Sequence, residues 1–413
     1  MQKNMNANSK KTAGKKANSR SLFYRISAWL HLWLGIASGI VVVIVCVTGC
    51  IYVFNEEITG WMEPEANVPV QSQPLIAPSK ILEVAAKEYP GKTVGYVLYK
   101  EGKAVEANIG ARRGGSTLKL NPYTGAVINK VNRKEGELNF FRWVLNGHRF
   151  LWLPVKIGRP IVNYSTLICV ITLISGLVLW WPKRWNKSTR NQSFKIKWGA
   201  SFKRINYDLH NVLGFYALLV LFAICVTGMV YGLEWWSKGL YWATSGGKTL
   251  PEFRELKSDS LQAGKKQDIN LGQKMDIAWK TAIGKHPEAS GFYMAFPDTS
   301  KATASITVIV YPEKGQYYNN QRYVFDQHTL EPLTGNKLYE QSFAEAEFGA
   351  KLRRMNYDIH VGSILGLPGK FMAFFASLIG ATLPITGFII WWGKGRKKKT
   401  PAPVKRKAQT AAV

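Results

Sequence analysis

Acidic residues, cysteines and histidines are all scarce in this 413-residue chain, which has 26 Asp/Glu against 55 Lys/Arg, four Cys and six His. Each scarcity excludes something. Cys46, Cys50, Cys169 and Cys225 all fall inside apolar runs, so the polar loops contain neither a disulfide framework nor a thiolate metal site. The four thiols read as small buried hydrophobes. No GxGxxG follows a strand pattern, and P-loop, HExxH and CxxC motifs are missing, so the chain shows no nicotinamide, flavin or nucleotide site of its own.

Long apolar runs are what the sequence does have. Ile26–Phe54, Ile161–Trp181, Leu209–Leu233 and Phe371–Trp392 carry no charge, and each reaches the roughly 20 residues that cross about 30 Å of hydrocarbon. Four transmembrane helices follow. The first run is too long for a signal-peptide core and lacks a small-residue cleavage site, so it is expected to remain as an anchor.

A net charge of +29 raises the possibility of nucleic acid, but the placement of that charge argues against it. Residues 1–25, 182–208 and 393–413 hold 23 bases and one acid. Short basic flanks mark the cytoplasmic side of a membrane protein. Both termini are therefore expected inside, in the cytoplasm, and both long loops outside. The polar residues 1–20 lack the apolar content to fold.

The two outside loops read alike. In residues 63–135 a Pro-rich linker precedes Ser79, a candidate cap for a helix at Lys80–Glu88. Strand patterns follow at Thr93–Tyr99, Ala104–Ile109, Ser116–Leu120 and Ala126–Val131, with Asn121-Pro-Tyr-Thr-Gly125 as a turn. Residues 240–345 repeat the order, with a helix at Leu271–Gly284, strands at Gly291–Phe296, Ala304–Tyr311 and Arg322–Phe325, and Asp326–Pro332 where the turn stood. The expected fold is membrane α-helical, with spans at 26–54, 138–181, 209–233 and 350–392. The second and fourth spans include their approach segments. Two small extracytoplasmic α+β domains complete it.

The halves of the chain are copies. His31, Gly35, Thr48-Gly49 and Tyr52 recur as His210, Gly214, Thr227-Gly228 and Tyr231, always 179 positions later. His148 corresponds to His360 at an offset of 212, and Ser175-Gly176 and Trp180-Trp181 to Thr386-Gly387 and Trp391-Trp392 at 211. This pattern predicts two pseudo-twofold repeats, with paired tryptophans at the inner membrane boundary.

Ionisable groups at membrane depth are costly and usually face a partner, a cavity or a cofactor. The topology puts His31 and His210 near the inner face, and His148 and His360 near the outer one. Two facing imidazoles, one above and one below a flat ring, are what a haem on the repeat axis requires, and such ligation suits electron transfer. Interfacial anchoring is the plain alternative. His286 and His328 have no repeat partner and are expected to be exposed.

Three features accompany the four histidines. An arginine stands six residues before each: Arg25, Arg142, Arg204 and Arg354. These could neutralise haem propionates or anchor lipid phosphates. Gly49, Gly176, Gly228 and Gly387 lie at histidine depth, since 18 residues of helix from His31 to Gly49 span roughly 27 Å. They could admit a porphyrin face or allow ordinary close helix packing. Asp208 and Asp358 stand two residues before His210 and His360, where they could hold an imidazole nitrogen. Asp208 could equally cap a helix.

His31…Thr48-Gly49, Leu118-Lys-Leu-Asn-Pro-Tyr-Thr-Gly125, Arg204…Asp208-Leu-His210, Arg322–Pro332 and Asn356-Tyr-Asp-Ile-His360 occur in an order that resembles the bacterial PepSY-associated transmembrane proteins. The resemblance covers nearly the whole chain. It implies two PepSY-like periplasmic domains and an inner-membrane location, and it implies His31, His148, His210 and His360 as axial ligands of two b-type haems. It also implies a ferric-siderophore reductase acting on a periplasmic iron chelate; because the chain shows no flavin or nicotinamide site of its own, the electrons are expected from another molecule, a quinol or flavoprotein. His148 departs from the pattern, because Leu145-Asn-Gly-His148 lacks the Tyr-Asp found before His360. Tyr317, Tyr318 and Tyr323 are candidates for the chelate surface. The rival readings are a non-redox membrane-anchored PepSY protein that binds peptides or regulates proteases, and a haem conduit to a quinone or protein partner.

Overall fold

The computed structural model describes residues 20–110, 115–134, 136–262 and 269–395; most of the two basic tails lies outside them. The chain runs through α1 (Leu22–Val53), α2 (Asn55–Met62), α3 (Pro78–Glu88), β1 (Val94–Lys100), β2 (Val105–Ile109), β3 (Ser116–Leu120) and β4 (Val127–Val131). It continues through α4 (Phe140–Phe150), α5 (Val155–Trp180), α6 (Lys187–Phe194) and α7 (Phe202–Met229). Then come α8 (Glu234–Thr244), α9 (Leu271–Ile283), β5 (Gly291–Ala295), β6 (Ser305–Tyr311) and β7 (Gln321–Asp326). The last elements are α10 (Lys337–Glu340), α11 (Phe348–Val361) and α12 (Gly366–Gly395).

Helices α1, α5, α7 and α12 are long and apolar enough to cross a membrane. Their outer surfaces display large apolar side chains such as Ile40, Ile174, Leu219 and Phe375, which only lipid would solvate favourably. Trp61, Trp143, Trp152, Trp235 and Trp242 are exposed near the end that carries the sheet, and Trp181, Trp185, Trp198 and Trp392 near the other. These are the two aromatic belts of a bilayer. The paired tryptophans are not both interfacial, however. Trp180 is buried, stacked on Phe215 at 3.7 Å with its indole N–H given to the Ser193 carbonyl.

The loop strands follow from sequence alternation. In β6, Ile306, Val308 and Val310 are buried while Thr307 and Ile309 are only half-buried, the period of two that one covered face imposes. The predicted strands are present, but they do not form two separate sheets. The order is β4-β3-β2-β1-β5-β6-β7, all antiparallel, with β1 and β5 paired from Tyr96↔Ala295 to Lys100↔Gly291. Each half would otherwise leave an unpaired edge; pairing the two edges removes both. α3 and α9 cover one face of the joined sheet, around Ile81, Val97, Tyr99, Met275, Met294 and Val308.

Ser79 does not cap α3. Pro78 begins that helix behind Ala77, as a residue without an N–H is suited to do. Ser79 instead donates through its N–H and its hydroxyl to Asp276 of α9, at 2.8 and 2.6 Å. The turn after the third strand of each unit does repeat: Asn121 accepts from the N–H groups of Tyr123 and Thr124, as Asp326 does from those of His328 and Thr329. His286 and His328 are not exposed. The first bonds the Tyr323 hydroxyl at 2.7 Å and the second donates to the Ala302 carbonyl at 2.8 Å.

α2 ties the sheet to the spans. Glu56 accepts from Lys100 at 2.6 Å and from the Tyr317 hydroxyl at 2.5 Å, Glu57 pairs with Lys370 at 2.6 Å, and Glu63 pairs with Lys119. Burial works against the charge on Glu56, but the Lys100 ammonium and the two donors outweigh it and hold the carboxyl below its usual range. Burial and that same carboxylate drive the Tyr317 phenol up.

The seam between the halves is tight at Gly291, where a Cβ would lie 2.5 Å from the Tyr99 carbonyl oxygen. Gly291→Val should therefore lower stability by about 1–3 kcal/mol, read as a fall in thermal midpoint, whereas Gly199→Val, at an exposed position with no neighbour within 4 Å, should change it by no more than about 0.5 kcal/mol.

Candidate functional site

α1 and α7 line opposite sides of a cavity of about 1380 Å³, walled on its flanks by α5 and α12. That exceeds the roughly 300–1,000 Å³ of a pocket for one drug-sized ligand. All four repeat-related histidines line it. At the end remote from the sheet, the ring centroids of His31 (α1) and His210 (α7) are 6.0 Å apart with their planes at 85°. At the sheet end, His148 (α4) and His360 (α11) are 6.1 Å apart at 65°. The approach segments are thus short helices that carry their histidine in the last turn. His210 lies in a π-helical stretch, Leu209–Leu213, an irregularity often found at functional positions.

Each imidazole is seated on the neighbouring helix. Nδ1 of His31 bonds the Thr172 carbonyl at 2.9 Å, that of His148 the Val45 carbonyl at 2.9 Å, and that of His360 the Ile224 carbonyl at 3.0 Å. Nδ1 of His210 bonds the Thr386 hydroxyl at 3.0 Å. Thr386 already gives its hydroxyl hydrogen to the carbonyls of Thr382 and Leu383, so towards His210 it can only accept. Carbonyls only accept as well. All four Nδ1 atoms therefore carry the proton, and each Nε2 keeps a free lone pair, the state in which imidazole binds a metal.

The small-residue pairs are these seats. A Cβ on Gly176 would lie 2.9 Å from His31 Cε1; on Gly49, 3.3 Å from His148; on Gly228, 3.1 Å from His360; and on Gly387, 3.2 Å from His210. The four glycines line the cavity, and what they admit is the imidazole itself. The hydroxyls beside them, Ser175, Thr48, Thr227 and Thr386, stand 3.0–3.4 Å from the same Nδ1 atoms.

The aspartates do not reach the imidazoles. α7 begins at Phe202 rather than at residue 209, so Asp208 is inside a helix; it pairs with Arg204 at 2.9 Å and accepts from the Lys197 N–H. Asp358 accepts from Ser363 and from the Tyr317 N–H, and burial pushes its carboxyl above the usual range. The informative residue of the Asn-Tyr-Asp string is the asparagine. Asn206 and Asn356, one helical turn before His210 and His360, donate to the carbonyls of Thr386 and Thr227, locking each histidine-bearing helix to the Thr-Gly pair on which its histidine rests. The four-residue spacing was the available signal.

The four predicted arginines are not brought into the cavity. Arg25 and Arg142 are exposed outside its lining, Arg204 is held by Asp208, and Arg354 is buried with its donors on the carbonyls of Tyr318, Gln341 and Asn320. Arg20, Arg149 and Arg159 line it instead. Tyr317 and Tyr318 are half-buried against the α2 and α11 contacts, and Tyr323 faces His286.

Two imidazoles do not satisfy a bare metal ion, and among the described residues no group of three His, Cys, Asp or Glu side chains is placed to hold one. A tetradentate macrocycle would supply the remaining ligands. Metal–imidazole bonds of about 2 Å, with roughly 1 Å from each nitrogen to its ring centre, put two axial imidazole centroids about 6 Å apart. Both pairs have that separation, so the residues present fit haem. The fold and site define a multi-pass membrane protein with two facing histidine pairs in its interior. The family model for the PepSY-associated TM region matches residues 28–394, and the chain belongs to that family. Among curated proteins none matches it.

Gly176→Ala should destabilise the protein by about 1–3 kcal/mol because its methyl group enters the His31 ring. Gly35→Ala, whose Cβ would meet Thr172 at an ordinary 3.6 Å, should be neutral or slightly stabilising on helix propensity. Parallel thermal unfolding in detergent compares them.

Proposed function

We propose that this protein holds two b-type haems and reduces a ferric siderophore or similar iron chelate on the sheet side of the bacterial inner membrane. The observation that carries this reading is the pair of 6.0 and 6.1 Å imidazole separations, one at each end of a single cavity. When bound, each haem supplies a one-electron iron(III)/iron(II) centre, so that two of them give electrons a way across the bilayer. His31 and His210 hold the far-side ring, and His148 and His360 the sheet-side ring. Two imidazoles at each site would leave the iron no open position for oxygen.

The chain's other residues fix these ligands and dry their surroundings. Backbone carbonyls and the Thr386 hydroxyl hold each Nδ1 proton, and the glycines let the rings approach the neighbouring helices. Leu218, Leu221, Ile224 and Leu383 on the cavity wall exclude water. The basic flanks orient the protein with both termini in the cytoplasm and the sheet, formed by two PepSY-like units, in the periplasm. A pseudo-twofold axis between β1 and β5 and between the members of each histidine pair relates the halves. A quinol or a cytoplasmic flavoprotein is the donor. Reduction of chelated iron(III) to iron(II) weakens its bonds to hard oxygen donors, and the metal is released.

Protein purified from haem-replete cells should show a strong reduced-minus-oxidised Soret band, with His31→Ala and His360→Ala each removing about half of it and the double variant all of it. A colourless preparation would overturn the proposal. Oxidation of the dithionite-reduced protein by ferric hydroxamates, but not by quinones, would distinguish chelate reduction from electron delivery to a quinone.

A further inference from the structure

We infer that Arg149 and Arg159 receive the two propionate carboxylates of the tetrapyrrole held between His148 and His360. The inference rests on the haem reading above and goes beyond it, because spacing in the sequence points to different arginines. Both residues line the cavity and are also exposed at the protein surface, near the end of the spans that carries the sheet. A carboxylate paired there stays partly hydrated, which avoids the cost of burying an ion pair.

The turn between α4 and α5 brings the two cations together. Leu151 and Trp152 adopt left-handed backbone conformations, with φ of 54° and 57°. Gly147 lies so close to the Trp152 ring that a Cβ would stand 2.2 Å from it, and a Cβ on Gly158 would stand 1.9 Å from the Phe150 carbonyl oxygen. Arg149 and Arg159 flank that Phe150–Gly158 contact, and Arg149 directly follows the ligand His148. Arg159 reaches across to α7's end and donates to the Tyr231 carbonyl at 2.6 Å. The Tyr231 ring is 6.0 Å from that of His360, so Arg159 is tied to the residue whose side chain flanks the sheet-side pair.

The repeat supplies a second, independent argument. A haem carries both propionates on one edge, so a site assembled from two similar halves needs cations in only one of them. At the offsets that relate His148 to His360 and Trp180 to Trp391, Arg149 corresponds to Val361 and Arg159 to Lys370. Lys370 is engaged with Glu57. Among the residues that line the cavity, the arginines at this end therefore come from the first half, which would fix which way the ring faces.

The test uses the full-length protein in lipid nanodiscs, loaded with haem or with haem dimethyl ester, and follows transfer of the sheet-side ring to apomyoglobin. Arg149→Gln/Arg159→Gln should lose that haem about tenfold faster than the unaltered protein, the scale of a lost charge-assisted pair. Arg149→Lys/Arg159→Lys should lose it more slowly than the Gln variant, and Arg142→Gln at the original rate. The spectrum of the far-side ring reports that each variant is folded. Esterification should speed loss from the unaltered protein and leave the Gln variant unchanged. Equal acceleration in both, or a loss confined to Arg142→Gln, overturns the assignment alone. Failure of the unaltered protein to take up haem overturns the haem reading and this assignment with it.

Discussion

An imidazole within the span of a bilayer has one N–H that water cannot satisfy, and the rest of this structure is arranged around meeting that need four times over. Each Nδ1 proton goes to an oxygen on a different helix: from α1 to α5, from α7 to α12, from α4 to α1 and from α11 to α7. A helical carbonyl that already accepts its own N–H has a second lone pair to offer. It can be reached only where the partner helix lacks side-chain bulk, and the glycine after each Ser or Thr provides that opening. Satisfying the proton also determines the chemistry, because it leaves every Nε2 lone pair directed away from its seat.

The same contacts shape the bundle. α1 and α7 each use one face for a seat and another for a histidine, so they are held apart by their neighbours and enclose a cavity. Membrane helices lack a hydrophobic drive to collapse on one another. Polar cross-links therefore decide how far apart they stand. At the sheet end, Glu56, Glu57 and Glu63 of α2 and the turn after it bind lysines from β1, α12 and β3, which ties the sheet to the helices that carry the site.

Repeat offsets made much of this legible. The spans, the strands, the histidine pairs and the Thr/Ser-Gly pairs can all be read from the chain, because each leaves a periodic or duplicated mark. What could not be read depended on direction. Six-residue spacing placed an arginine near every histidine, yet Arg204 is drawn to Asp208 and Arg354 to three carbonyls, whereas Arg149 and Arg159 reach the cavity through a turn whose left-handed residues have no sequence signature. Asp208 looked like a cap only because α7 appeared to begin at the apolar run; its first turns are polar and precede it. The joined sheet was also hidden, since strand patterning shows that edges exist and not which edges meet.

By itself the sequence determined which segments enter lipid, that the chain is written twice, and which histidines lie at equal depths, because hydropathy and spacing act locally along the backbone. Tertiary structure alone decided that the two units share one sheet, that the glycines seat imidazoles, and which cations border the cavity. Those outcomes depend on side chains from distant segments competing for the same partners, and that competition is resolved only once the helices are packed.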